Sequence, residues 1–315
     1  MSLVPGWALC GRDAPLRPAL VQPHGFYMAT HSGEDVVSSA LQQTGRWESS
    51  SIETLGVDNA TDLHAGTFID IGANLGYFSF LFARRGYRVF AVEPLFANRR
   101  GIEATLCLNK EFAAEGRFTI IPTPIGAPAR CKMVSNFRNR GNGRLSCESA
   151  SRSTFRPCAP RRPSDPPLCE NMSTAPLDEV LRIVPKDTPR PVVVKIDLEG
   201  YECGALETGH TALFERIGAD LITVEAKEPK TKQCVQRAAT RYSYQLATPW
   251  GADQNQLLCK PGRPMQSCVA RFALEPGAYM TRSGTNTTSC AMAGGPVRRA
   301  CMRALRSNKR GSKPV

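Results

Sequence analysis

The sequence predicts an α/β fold built on a parallel sheet, and three observations carry that prediction. The stretch TFIDIGANLGYFSFLFARRGYRVFAVEP, Thr67 to Pro94, runs strand, glycine turn, helix, strand, acidic residue. RPVVVKID, ending at Asp197, is a β-branched run of the kind that fills a central parallel strand. Around these, short apolar runs alternate with helical patterns of ten or more residues, which implies βαβ units.

Taken in order, residues 1–33 carry prolines and glycines with little periodicity and read as an irregular arm. EDVVSSALQQTG, Glu34 to Gly45, opens on acids, places Val36, Val37, Ala40 and Leu41 at helical spacing and closes on glycine. A second short helix is expected around Ile52 to Leu55. TFIDI is a strand, YFSFLFARRG a helix ended by Gly86, and YRVFAVE the next strand. ANRRGIEATLCLNK, Ala97 to Lys110, gathers Ile102 and Leu106 on one helical face, and RFTIIP is a third strand. Between residues 126 and 175 Arg, Ser, Pro and Gly dominate. The part from about 147 to 171 reads as a flexible basic insertion. APLDEVLRIVP is a short helix. After the strand ending at Asp197, YECGALETGHTALFERIG reads as two helical pieces and ADLITVEAKE as another central strand. KTKQCVQRAATRY is helical, and SYQLAT and NQLLCK are the closing strands. Residues 34–260 thus form one domain, and 261–315 read as a mostly disordered basic tail.

The net charge of +12 is local. Nine basic residues and one acid fall between Arg130 and Arg162, and seven basic residues and no acid between Val297 and Val315. Such segments can bind nucleic acid or anionic membrane, but a solvated chain is the simpler reading. Twelve cysteines occur with no C-x-x-C pair, and the four histidines stand apart from them, which disfavours structural zinc. Cys147, Cys158 and Cys169, eleven residues apart, could pair in an oxidising compartment. Three N-x-S/T triplets, at Asn59, Asn171 and Asn286, fit that idea. Against it, no charged region followed by an apolar run opens the sequence, and no run of 18 apolar residues occurs. The default expectation is therefore a cytoplasmic protein without a transmembrane helix.

The chemistry is concentrated at two places. In DIGANLG, glycine lets the backbone turn after the strand and lets a ligand approach a helix N-terminus. The spacing is D-x-G-x-x-x-G, not the G-x-G-x-x-G that cradles a pyrophosphate. Asp70 beside the turn would repel that anion but suits a ligand carrying an ammonium and a sulfonium. Glu93, ending the next strand 17 residues after Gly76, is placed to accept from both ribose hydroxyls of an adenosine. S-adenosylmethionine is the expected cofactor. The second place is VVVKIDLEGYE, where Asp197, Glu199 and Glu202 follow a central strand, with Glu225 at the same point of the next. Ligands bind outside these strand ends. Clustered carboxylates raise one another's pKa, which suits a general base near neutral pH, and Lys195 and Lys227 are the available countercharges. Asp197 is the expected base or acceptor-positioning group, with Glu199 second. Glu202 reads as a first-turn helix charge. No metal is expected. Trp47 and Glu48 read as a lid, or Trp47 equally as a core anchor for the N-terminal helix; Asn142 reads as an acceptor contact, and Tyr77 and Phe78 as helix packing.

DIGANLGYF, AVEP and VVVKIDLEGYE, in that order, resemble the FkbM-type methyltransferase family. EDVVSSALQQTGRWE, GNGRLS and APLDEVL are similar to further family segments, so the resemblance runs from about Glu34 to Lys260. It implies a class I methyltransferase (Rossmann-like) three-layer sandwich, mostly parallel, with an antiparallel last strand. It implies S-adenosylmethionine as donor and O-methylation of a small-molecule or sugar hydroxyl. By the same resemblance Asp70, Gly72, Asn74 and Gly76 belong to the donor turn and Glu93 to the ribose. The basic segments leave a methyltransferase of RNA or protein as the alternative, and a non-catalytic binding module as another. Intact Gly72, Gly76 and Glu93 argue against the latter.

Overall fold

The computed structural model describes residues 4–11, 15–48, 66–114, 116–136, 138–148, 155–158, 169–250 and 255–260. In chain order these form α1 (Trp7–Cys10), β1 (Leu16–Val21), β2 (Phe26–His31) and α2 (Val36–Thr44). Then come β3 (Thr67–Ile71), α3 (Tyr77–Arg84), β4 (Arg88–Val92), α4 (Phe96–Leu108) and β5 (Phe118–Ile121). An antiparallel set follows: β6 (Arg130–Asn136), β7 (Asn139–Cys147) and β8 (Cys169–Ser173). The chain returns through α5 (Leu177–Val180), β9 (Val192–Ile196), α6 (Glu202–Thr208), β10 (Leu221–Val224), α7 (Pro229–Arg241), β11 (Gln245–Trp250) and β12 (Asn255–Cys259).

The central sheet has seven strands in the order β11-β12-β10-β9-β3-β4-β5. β10, β9, β3, β4 and β5 run parallel, while the last strand, β12, lies antiparallel between β10 and β11. Strand alternation sorts the side chains into two layers. Ile69, Ile71, Val192, Val194 and Ile196 face a layer holding Leu177, Leu206 and Val235. Phe68 and Val193 face the other, with Leu41, Phe80, Phe82 and Ile102. Both faces are covered, which is why the central strands are unbroken apolar runs. Asp35 caps α2 by accepting from Ser38 N–H at 2.8 Å, and Gly45, at φ 70°, closes it.

Two sequence expectations are corrected. Within the stretch read as an irregular arm, β1 and β2 form an antiparallel hairpin, registered from Leu16↔His31 to Val21↔Phe26. Its outward positions (Arg17, Leu20) mix polar and apolar residues with Pro18, which hides the strand signal. Its inward Val21, Phe26 and Met28 are buried. The low-periodicity region 126–175 contains the sheet β7-β6-β8, tied by a Cys131–Cys147 disulfide. These strands bury few large apolar groups, so no alternating pattern appears. Most of the expected basic insertion, the expected helix at 52–55 and the tail from 261 lie outside the described residues.

Phe80 is fully buried and joins the hairpin to the sheet, with ring centroids 6.4 Å from Phe26, 5.8 Å from Phe112 and 5.0 Å from Phe118. Phe80→Ala is expected to cost about 3–5 kcal/mol, read as a lowered urea midpoint. A cost under about 1 kcal/mol would contradict this packing.

Candidate active site

The glycine turn is fixed by one close approach. Gly72 has φ 88°, and a Cβ there would stand 1.8 Å from the carbonyl oxygen of Asp197. Asp197 N–H in turn donates to the Ile71 carbonyl at 2.9 Å. The ends of neighbouring strands β3 and β9 are thus locked backbone to backbone. Asn74 takes φ 55°, a left-handed conformation asparagine tolerates, and Gly76, at φ 80°, starts α3. Glu93, at the end of β4, accepts from the N–H groups of Asn74 and Leu95, both at 2.7 Å. Burial pushes its carboxyl up to about 8, against those two bonds.

Asp70 and Lys195 are register partners across β3 and β9, on one face of the sheet. Asp70 is buried and accepts from the Ser79 hydroxyl at 2.7 Å. Burial raises its pKa, opposed by Lys195. Its Oδ1 has no hydrogen-bond partner among the described residues. Lys195 donates to Asp197 at 2.7 Å and sits 4.9 Å from the Phe78 ring centroid. Burial pulls its pKa down, but Asp197, Asp70 and Glu48 outweigh that and the net direction is up.

Beyond β9 the acids divide their work. Glu202, 2% exposed, reaches back to accept from Leu198 and Gly200 N–H, both at 3.0 Å. It holds the loop that carries Glu199, where the sequence reading made it a helix-terminus charge. Glu199, at φ 51°, accepts from Asn142 Nδ2 at 3.1 Å, and burial then Asp197 raise its pKa. Glu225 pairs with Lys227 at 2.6 Å; burial and Asp197 push it up to about 7, against Lys227. Carboxylate oxygens of Asp197, Glu202 and Glu225 lie within 4.8 Å of one another, and the two lysines supply the countercharge.

β7 closes the site through Gly141. Its N–H donates to Asp35 at 2.8 Å, and its carbonyl accepts from Asn98 at 2.9 Å and Asn74 at 3.2 Å. One glycine thereby ties the α2 cap, α4 and the Gly72–Gly76 turn together.

These parts surround a cavity of about 350 Å³, within the range of small-ligand sites. Gly72, Asn74, Glu93, Asp197 and Glu199 line it, as do Glu225, Asn142, Trp47 and Glu48. Tyr77 and Phe78 line it while also packing in the core. Two expected donor contacts stand elsewhere: Asp70 lies behind the wall because its strand position faces α3, and Gly76 serves as the α3 cap. With Lys195 beside it, the Asp70 charge is opposed, so glycine spacing rather than that charge disfavours a pyrophosphate. An adjoining cavity of about 320 Å³ shares Glu199, Tyr201, Glu225 and Lys227 and adds Arg144 and Glu228. Asp35, Asn98 and Gly141 escaped sequence reasoning. The similarity of EDVVSSALQQTGRWE, which holds Asp35, and of GNGRLS, which opens on Gly141, to family segments was the signal near them.

A mostly parallel sheet with an antiparallel last strand inside its edge, and a cleft at the carboxyl ends of its central strands, defines a class I methyltransferase fold. Residues 70–248 match the model of the methyltransferase FkbM domain, over half of the chain, and the chain belongs to the FkbM methyltransferase family. Among solved structures it is similar to methyltransferase FkbM from Methylobacillus flagellatus KT, at 16% identity and TM-score 0.41, over 62% of this chain and 44% of that one. It thus spans less than half of that protein's length. It is also similar to a precorrin-6Y methyltransferase from Geobacter metallireducens GS-15, at 13% identity and TM-score 0.36, over 66% and 88%. Trm5b from Pyrococcus abyssi matches at 11% identity and TM-score 0.37, over 79% and 55%. No curated protein matches the chain. No helix among the described residues is long and apolar enough to cross a membrane.

Gly72→Ala forces a Cβ onto a carbonyl and a non-glycine residue into a left-handed conformation, the latter alone costing roughly 1–2 kcal/mol. The variant is expected to lose at least about 2 kcal/mol of stability in urea titration. An unchanged midpoint would contradict the close approach.

Proposed function

We propose that this chain is an S-adenosylmethionine-dependent O-methyltransferase acting on a hydroxyl of a small molecule or sugar. The supporting observation is the Gly72–Asp197 contact, which puts a donor-type turn and an acidic loop on one cavity. The residues fit the donor: the turn is open where a Cβ would block it, and Glu93 is buried at the strand end where a ribose is held. Bound there, S-adenosylmethionine would supply an electrophilic methyl on a sulfonium.

The chain's own groups do the rest. Gly72 and Asn74 let the ligand reach the backbone, and each oxygen of Glu93 keeps a lone pair for a ribose hydroxyl beside the N–H it already accepts. Asp197 and Glu199 position the acceptor hydroxyl, Glu199 being steadied by Asn142. Asp197 is held by the Lys195 ammonium at 2.7 Å, which commits one of its carboxylate oxygens to that ion pair. Glu225 lines both cavities and ionises near neutral pH, so the hydroxyl proton is assigned to Glu225 in place of Asp197. Trp47 and Tyr77 wall the cleft against water, and positioning supplies much of the rate.

Calorimetric titration is expected to show binding of S-adenosylhomocysteine and none of NAD. Glu93→Ala should weaken that binding about 10- to 100-fold, from the loss of its hydrogen bonds to both ribose hydroxyls. Folded protein that ignores S-adenosylhomocysteine would overturn the reading. With an acceptor in hand, wild-type turnover should rise with pH through about 7, as Glu225 loses its proton and becomes a base. Glu225→Gln should remove that limb and cut kcat about 10²-fold or more. A variant with the wild-type profile would take Glu225 out of the proton path.

A further inference from the structure

The cysteines and the sequon at Asn171 play no part in the methyl-transfer site. All nine described cysteines are disulfide-bonded. Four bridges have both partners described. Cys10–Cys107 ties α1 to α4, and Cys131–Cys147 ties β6 to β7. Cys158–Cys169 closes onto β8, and Cys203–Cys234 joins α6 to α7. Bridges spread through every part of a fold form and persist in oxidising compartments, whereas a glutathione-poised cytosol keeps such cysteines as thiols.

Asn171, Met172 and Ser173 lie on β8, which among the described residues is an edge strand paired with β6. Asn171 and Ser173, two residues apart on one strand face, are both exposed. The register places Asn171 opposite Lys132 and Glu170 opposite Met133. Met133 lines the cavity and Glu170 accepts from Phe96 N–H at 3.1 Å, so that face looks inward and Asn171 looks away from the site. Asn171 Oδ1 accepts from Cys158 N–H at 2.8 Å, and no described residue accepts from its Nδ2. The disulfide Cys158–Cys169 stands two residues before it.

From these two independent observations we infer that the chain folds in an oxidising lumen that attaches N-linked glycans, and carries one at Asn171. Each bridge removes two electrons and two protons from a thiol pair, passed to an oxidised disulfide carrier of that lumen. In glycan attachment, the Asn171 Nδ2 bonds to the anomeric carbon of a polyprenyl-pyrophosphate-linked oligosaccharide. The bond from that carbon to the pyrophosphate breaks, the lipid pyrophosphate leaves, and the amide proton passes to a base of the transferring enzyme. The inference replaces the cytoplasmic default and rests on no part of the methyl-transfer reading.

The test expresses the full chain in a eukaryotic host, with and without a secretion leader. Peptides of the secreted protein are sequenced by mass spectrometry after enzymatic deglycosylation in heavy-oxygen water. The peptide holding Asn171 should appear as labelled Asp, separately from those of Asn59 and Asn286. Ser173→Ala should abolish the label while keeping the Asn171–Cys158 contact, and Ser173→Thr should retain it. Reduction should lower the melting temperature of the secreted protein by at least about 10 °C, the four described bridges and that of Cys259 being lost. An Asn171 peptide found only unmodified would overturn the glycan site. A leaderless chain that folds with its cysteines as thiols and melts at the same temperature would overturn the compartment.

Discussion

The site depends on the contact between the Asp197 carbonyl and the α-carbon of Gly72. Strands β3 and β9 are neighbours, and each leaves the sheet at its carboxyl end into a loop with functional groups. Only a residue without a Cβ lets those loops close on each other. The glycine turn and the acidic loop therefore share one cavity wall, and everything built outward from that wall inherits its geometry.

Charge is the second constraint. Four acids at one sheet edge would repel one another, and two devices hold them, a lysine or a pair of backbone N–H groups. Asp197 has the Lys195 ammonium, Glu225 has Lys227, Glu202 takes two backbone N–H groups, and Glu93 takes two more. Lys195 also faces Asp70 through strand register, so one buried ammonium serves acids from two strands. Groups with full partners become rigid scaffold. Glu225, half-buried and raised toward neutrality, keeps the capacity to exchange a proton. The Gly141 hub does for position what the lysines do for charge: it holds the α2 cap, α4 and β7 at fixed distances from the turn.

The central sheet was legible because its constraints are local. Buried parallel strands must be apolar on both faces, so TFIDI, YRVFAVE and PVVVKI announce themselves. The turn was legible for the same reason, since Gly72 and Gly76 answer to backbone geometry. What the sequence hid was long-range. The β1–β2 hairpin and the sheet β7-β6-β8 bury small or mixed residues against other elements, and no period in their own sequence reports that. Gly141 reads as one glycine in a basic stretch until Asp35, Asn98 and Asn74 are seen to converge on it. Asp70 misled in a different way. It was read as a bare charge beside the ligand, but strand alternation turns it away from the cavity and toward Ser79, with Lys195 opposing its charge.

The most direct test of the central claim is a crystal structure of the chain with S-adenosylhomocysteine. The account predicts the ribose hydroxyls on Glu93, the amino-acid part against Gly72 and Asn74, and the sulfur facing the Asp197–Glu199 loop and Glu225. A ligand seated elsewhere, with the Glu93 carboxylate untouched or the Gly72–Asp197 contact opened, would contradict it.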